Sequence, residues 1–134
     1  MSANTKIEGY MINLGLTFEQ IDESSWIIND EDKGLEQVAV IAAETLVVVR
    51  VNVMDTPEKN REEFYQELLG LNAADLIHGA YALEEGKVIL VDTLEFDTLD
   101  IEEFQATLDA IGLALAQHYP ILSKYMNNGG SPPA

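Results

Sequence analysis

Leu46-Val47-Val48-Val49-Arg50-Val51-Asn52-Val53-Met54 is the stretch on which the fold turns. Val47, Val49, Val51 and Val53 recur at every second position, and Val48, Arg50 and Asn52 take the alternate ones. A period of two built from β-branched residues predicts a strand with one face buried, because successive side chains leave a strand on opposite sides. Gln37 to Ala43 alternates in the same sense, with Val38, Val40 and Ala42 inward, and reads as the hairpin partner. The joint at Ala43-Glu44-Thr45 holds no Gly or Asn, so the pairing is better specified than the turn type.

Working towards the N-terminus, Ser24 to Ile28 reads as a short first strand, and Asn29 to Gly34 as a turn by composition. Thr17 to Ser25 is polar and reads as a connection. From Asn4 to Leu14 the apolar residues Ile7, Tyr10, Met11 and Leu14 follow a helical 3-4-3 spacing, with Asn4 or Thr5 as cap and Gly15 as stop. Towards the C-terminus, Thr56 as N-cap and Pro57 at the first helical position open a second helix. Phe64, Leu68 and Leu71 mark one of its faces, Tyr65 and Leu69 the neighbouring one, and it ends near Gly70 or Asn72. A second hairpin runs from His78 to Glu84 and from Lys87 to Leu94, around Glu85-Gly86, where Gly suits the positive φ of a two-residue turn. The last helix starts at Asp100, whose partner Glu103 completes an Asp-x-x-Glu capping box. Ile101, Phe104, Leu108, Ile111, Leu115 and Tyr119 form its core stripe, and Pro120 predicts a break before a short turn over Ile121 to Met126. Residues 127–134, rich in Asn, Gly and Pro, read as a disordered tail.

The expected order is therefore α-β-β-β-α-β-β-α in one domain, residues 1–126. Tight hairpins between neighbours predict an α+β fold with a mainly antiparallel five-stranded sheet and helices packed on one face.

At 134 residues, 47% of them apolar, the chain is long enough to build a core without disulfides or a structural metal. Seven Lys and Arg against 24 Asp and Glu leave a net charge of −17. That balance argues against nucleic acid, whose phosphates need clustered cations, and against anionic membrane surfaces. With no Cys, thiolate zinc sites and Cys nucleophiles are excluded. Neither a signal peptide nor an apolar run of membrane-spanning length is read, so the expected location is the cytoplasm.

No catalytic constellation emerges. His78 and His118 lack an i,i+4 His partner and an HExxH setting, and Ser24 and Ser25 lack a nucleophile elbow. Asn29-Asp30-Glu31-Asp32-Lys33-Gly34 resembles the start of a calcium loop, but Lys33 falls on a ligand position and Val40 where a bidentate Glu is required. No catalytic residue, metal ligand or cofactor is nominated. The alternative to a binding protein is a small-ligand or divalent-cation sensor using the acidic cluster from Glu95 to Glu103, which has no Lys or Arg beside it. More informative is apolarity on both faces of predicted strands. Val88, Leu90 and Leu94 oppose Ile89 and Val91, Val48 opposes the valine face, and Trp26, Ile27 and Ile28 are consecutive. Three helices cover one sheet face, so the other needs a second subunit or a partner segment.

Phe64-Tyr65-Gln66-Glu67-Leu68-Leu69-Gly70-Leu71-Asn72, the hairpin Tyr81-Ala82-Leu83-Glu84-Glu85-Gly86-Lys87-Val88-Ile89-Leu90, and Leu99-Asp100 opening a helix with Glu102-Glu103-Phe104 carry a family resemblance. In size, acidity and order the chain resembles the class I type III secretion chaperones, and more closely their YbjN-type branch, named for bacterial sensory transduction regulation. The resemblance spans Asn4 to Tyr125. It implies a noncatalytic homodimer that binds segments of a client protein without nucleotide. The client would lie along the first helix and first three strands, partly by strand addition. The matching positions are Ile7, Met11 and Leu14, with Trp26 and Ile28 on the candidate edge strand. The central helix would contribute Tyr65, Leu68 and Leu69 to the dimer interface.

Overall fold

A computed structural model of the chain describes residues 3–126, so the tail expected for 127–134 lies outside the described residues. The first helix, α1 (Ala3–Asn13), is followed by β1 (Phe18–Asp22), β2 (Ser25–Asp30), β3 (Leu35–Ala43) and β4 (Leu46–Asp55). Helix α2 (Arg61–Ala74), the hairpin β5 (Ala80–Glu84) and β6 (Lys87–Glu95), and the long α3 (Ile101–Leu122) complete the chain. The strands form one six-stranded sheet in the order β1-β2-β3-β4-β6-β5, each pair antiparallel.

The α+β class and the antiparallel sheet follow the sequence reading; the strand number does not. Five strands were expected and six are present. The extra one, β1, comes from the segment read as a connection. Of its five side chains only Phe18 is partly shielded, because an edge strand open to water needs no apolar alternation. Asp22 makes the turn into β2 by accepting the Ser24 amide on Oδ1 at 2.9 Å.

The valine stripe behaves as its period requires. Val47, Val49 and Val51 are buried, and Trp26 pairs with Val40, which pairs with Val49, so one row crosses three strands on a single face. Ile7 and Met11 of α1, Phe64, Leu68 and Leu71 of α2, and Phe104, Leu108, Ile111 and Leu122 of α3 join that face in one hydrophobic core. Helix α1 closes as expected at Gly15. With φ at 70°, Gly15 lets the Leu16 amide donate back to Met11 O at 3.0 Å and its own amide donate to Ile12 O. The β5–β6 turn places Glu85 and Gly86 at φ 49° and 78°, the mirror-image turn anticipated from Gly86.

Two helix limits move. Helix α2 begins at Arg61, not at Thr56-Pro57. Asn60 sits in the left-handed region at φ 57°, and the Thr56 amide donates to Gly86 O at 2.9 Å, which commits the residues before it to crossing from β4. Helix α3 runs through Pro120 to Leu122. Pro120 falls in the last turn, where one lost amide donor is offset by burial of Leu122 in the core. The α3 start matches expectation: Asp100 Oδ1 accepts the Glu103 amide at 2.7 Å.

Candidate binding surface: the open face and the edges of the sheet

The register of the strands defines what lies on the side away from the helices. One row reads Glu19, Ile27, Ala39, Arg50, Val91 and Ala80 from β1 to β5. The next reads Ser25, Ile41, Val48 and Thr93. Ile89 lies between Asn52 and Ala82 in a third. Ile27, Ile41, Val48 and Val91 are half-buried by their strand neighbours, yet none of them packs against the hydrophobic core. The middle of this face is aliphatic and uncovered.

An ion pair spans three of its strands. Arg50 Nη2 donates to Glu84 Oε1 from β4 to β5, passing over β6 at the level of Ile89, which is left only 5% exposed. The hydrogen bond and charge of the Arg50 guanidinium hold the Glu84 carboxyl below its usual range.

The two edges of the sheet differ. β1 ends it on one side and β5 on the other. Along β5, the Tyr81 amide donates to Asn72 Oδ1 at 2.7 Å, and Asn72 Nδ2 donates to Tyr81 O at 3.1 Å. At β1, Gln20 Nε2 donates to Asp22 O within the strand, and among the described residues no side chain engages both the amide and the carbonyl of one β1 residue.

The residues singled out from the sequence fall into two groups. Ile7, Met11, Trp26 and Ile28 have no exposed surface. They fasten α1 to the sheet, and Trp26 Nε1 donates to Glu8 Oε2 at 2.9 Å. Trp26 and Ile28 were placed on an edge strand; the structure corrects this, because β1 covers β2 and takes the edge itself. Leu14 is half-buried at the end of α1. On α2, Leu68 is buried, Tyr65 half-buried and Leu69 67% exposed. Ile41 and Asn72 were not picked out. Ile41 stands beside Val40 and gives the mixed-parity signal already legible around Val48 and Ile89, whereas nothing in sequence marks Asn72 as a partner of Tyr81.

The acidic cluster from Glu95 to Glu103 is spent partly on capping α3, and among the described residues no group of three or more His, Cys, Asp or Glu is placed to hold a metal ion. His118, 2% exposed, lies with Nδ1 2.7 Å from the Tyr81 hydroxyl, and Nε2 is 3.3 Å from Asp75 Oδ2. Burial pushes the Tyr81 phenol up to about 12 from 10.0. A phenol harder to ionise when folded contributes stability that is complete below pH 10 and lost as the pH rises towards 12. Urea titrations between those values are expected to show falling stability in the parent and a shallower fall in Tyr81→Phe.

Residues 1–128 match the CesT_Tir_1 family. The chain belongs to that family. No curated protein matches it. Among solved structures, a chain of the heterodimeric ExoU–SpcU complex from the type III secretion system of Pseudomonas aeruginosa superposes with a TM-score of 0.62. It is 13% identical, and the match covers 86% of this chain and 96% of that one. YbjN from E. coli gives 0.65 at 11% identity, covering 87% and 91%. The Yersinia pestis type III secretion chaperone SycH, solved with a stable fragment of YscM2, gives 0.62 at 13% identity, covering 87% and 98%. These likenesses show a shared CesT_Tir_1-type chaperone fold, common to the secretion chaperones and to YbjN. No helix of the described residues is long and apolar enough to cross a membrane.

Proposed function

We propose that this chain is a noncatalytic binding module that holds segments of a client protein and works as a homodimer in the cytoplasm. The observation that carries the reading is the uncovered aliphatic face made by Ile27, Ile41, Val48 and Val91, which none of the three helices shelters. Two of the similar structures are complexes, ExoU with SpcU and SycH with a fragment of YscM2, which supports a protein as the partner. Ile7, Met11, Trp26 and Ile28, with half-buried Leu14 at the end of α1, serve the client surface from beneath, by fixing α1 against β2. Tyr65 and Leu69, backed by buried Leu68, form the dimer face on α2.

Affinity capture from cells that express the protein tests the client surface. The parent is expected to retain a specific polypeptide that Ile41→Asn/Val48→Thr releases, with the native circular dichroism spectrum retained. Equal retention by both would remove the open face from the function. Light scattering tests the dimer: the parent is expected at twice the chain mass and Leu69→Asp at the chain mass. A parent at the chain mass would end the dimer reading.

A further inference from the structure

The C-terminal end of α2 is negative and has no cation to answer it. Its last turn holds no basic residue, and Asp75 follows as the cap. Leu71 O accepts both the Asp75 and the Leu76 amides, at 3.0 and 3.2 Å, which leaves the later carbonyls of the helix to other donors. A carboxylate at that end of a helix dipole is unfavourable until a cation joins it. The sequence on either side supplies none, because no Lys or Arg occurs from Glu62 to Gly86 or from Val88 to Ser123. α3 packs beside the α2 end, and between them lies a pocket of about 70 Å³ whose lining includes Asp75, Ile77, Leu113, Gln117 and His118. Ile77 and Leu113, 91% and 59% exposed, give it an apolar rim. His118 is 2% exposed, and its Nε2 has no hydrogen-bond partner. The Tyr81 phenol, which keeps its proton up to about 12, donates to Nδ1 at 2.7 Å. A ring that accepts at Nδ1 carries its hydrogen on Nε2. That N–H stands 3.3 Å from Asp75 Oδ2, a donor beside an acceptor, yet the two do not satisfy each other.

We infer that this pocket captures the N-terminus of a polypeptide: the α-ammonium on Asp75, the first carbonyl on His118 Nε2–H, and a small apolar first side chain against Ile77 and Leu113. A buried N–H requires an acceptor, and a carboxylate at a helix C-terminus requires a cation. A peptide N-terminus supplies both from adjacent atoms. A Lys side chain brings the charge without the neighbouring acceptor. A free amino acid adds a carboxylate, which Asp75 and the α2 end repel. A cavity that holds benzene measures about 150 Å³, so a pocket of about 70 Å³ takes an ammonium and a few carbons, not an aromatic first residue. The pocket lies among the helices, on the other side of the sheet from Ile27, Ile41, Val48 and Val91, so it stands or falls apart from the open face.

Peptide titrations followed by backbone amide chemical shifts test the inference, at a pH below the α-amino range of about 7.7–8.0. Val-Gly-Ser-Gly-amide is expected to shift the amides of residues 75–78 and 113–118 to saturation. Its acetylated counterpart is expected to bind at least about tenfold more weakly, the usual consequence of losing one charge-assisted hydrogen bond. Acetyl-Gly-Ser-Lys-Gly-amide and free valine are expected to bind no better than the acetylated peptide. Asp75→Asn removes the charge from a half-exposed side chain, so the fold survives, and is expected to weaken the free-amine peptide by at least about tenfold. Equal binding of the free and acetylated peptides overturns the inference, and so does the absence of saturable shifts with either. Full affinity in Asp75→Asn removes the carboxylate from the site. Binding of the Lys peptide or of valine as tight as that of Val-Gly-Ser-Gly-amide overturns the assignment to a polypeptide N-terminus.

Discussion

Trp26→Ala is expected to lower the unfolding free energy by about 3–5 kcal/mol, the usual range for removing a large aromatic from a core. Trp26 is fully buried and pairs across the sheet with Gln20 on one side and Val40 on the other. Above it lies α1, which contributes Ile7 and Met11 to the same core. Removing the indole opens a cavity at the α1–sheet junction and strips the Glu8 carboxylate of its Nε1–H donor. Against a total of about 5–15 kcal/mol for a domain, the loss is a large share. Trp26 is the only tryptophan in the chain, so the variant loses the fluorescence reporter and urea unfolding must be followed by circular dichroism. A cost below about 1 kcal/mol would contradict full burial and return Trp26 to the role of a surface contact. Met11→Asp, which places an unpaired carboxylate at a position with no exposed surface, acts on the same junction.

That test exposes what periodicity conveys and what it omits. Alternation in Val47, Val49 and Val51 identifies a buried face, since only burial demands β-branched residues at every second position. It does not say which apolar parity the helices cover when both are apolar. In β6, Val88 and Leu90 join the core whereas Ile89 and Val91 look outward, and the sequence makes the two sets chemically alike. The choice is settled by the anchoring of α1, α2 and α3, a tertiary fact. Trp26 and Met11 read as client contacts from the resemblance, and the fold places both in the core beneath α1. β1 escapes notice for the opposite reason: an exposed edge strand has almost no burial to pattern, and Phe18 alone leaves a trace. Helix limits slip where one backbone angle decides them, as at Asn60, or where tertiary burial outweighs a local penalty, as at Pro120 with Leu122. The capping of α3 by Asp100 and the turn at Glu85-Gly86 are legible because short-range geometry alone dictates them.

The same distinction between local preference and tertiary packing yields a second expected result, a pair of glycine substitutions of opposite sign. Both Gly70 and Gly112 lie inside helices, where Ala is favoured over Gly by about 1 kcal/mol. A Cβ on Gly70 of α2 meets nothing within 4 Å, so Gly70→Ala is expected to raise stability by about that amount. A Cβ on Gly112 of α3 would stand 2.5 Å from Lys33 O. That oxygen is backbone, in the 3-10 turn Glu31–Lys33 that leads to Leu35, itself buried beneath α3. Neither partner is a flexible tip, so α3 must lift from the sheet or the turn must shift. Overpacking of this kind costs about 1–3 kcal/mol, enough to cancel the helical gain and reverse it. Gly112→Ala is therefore expected to lower the urea midpoint while Gly70→Ala raises it, with the urea dependence unchanged in both. If Gly112→Ala proves as stabilising as Gly70→Ala, α3 does not sit against the turn before β3. The helical roof over the valine face would then be further from the sheet than its buried residues require, and the contrast between a sheltered and an open side would lose its basis.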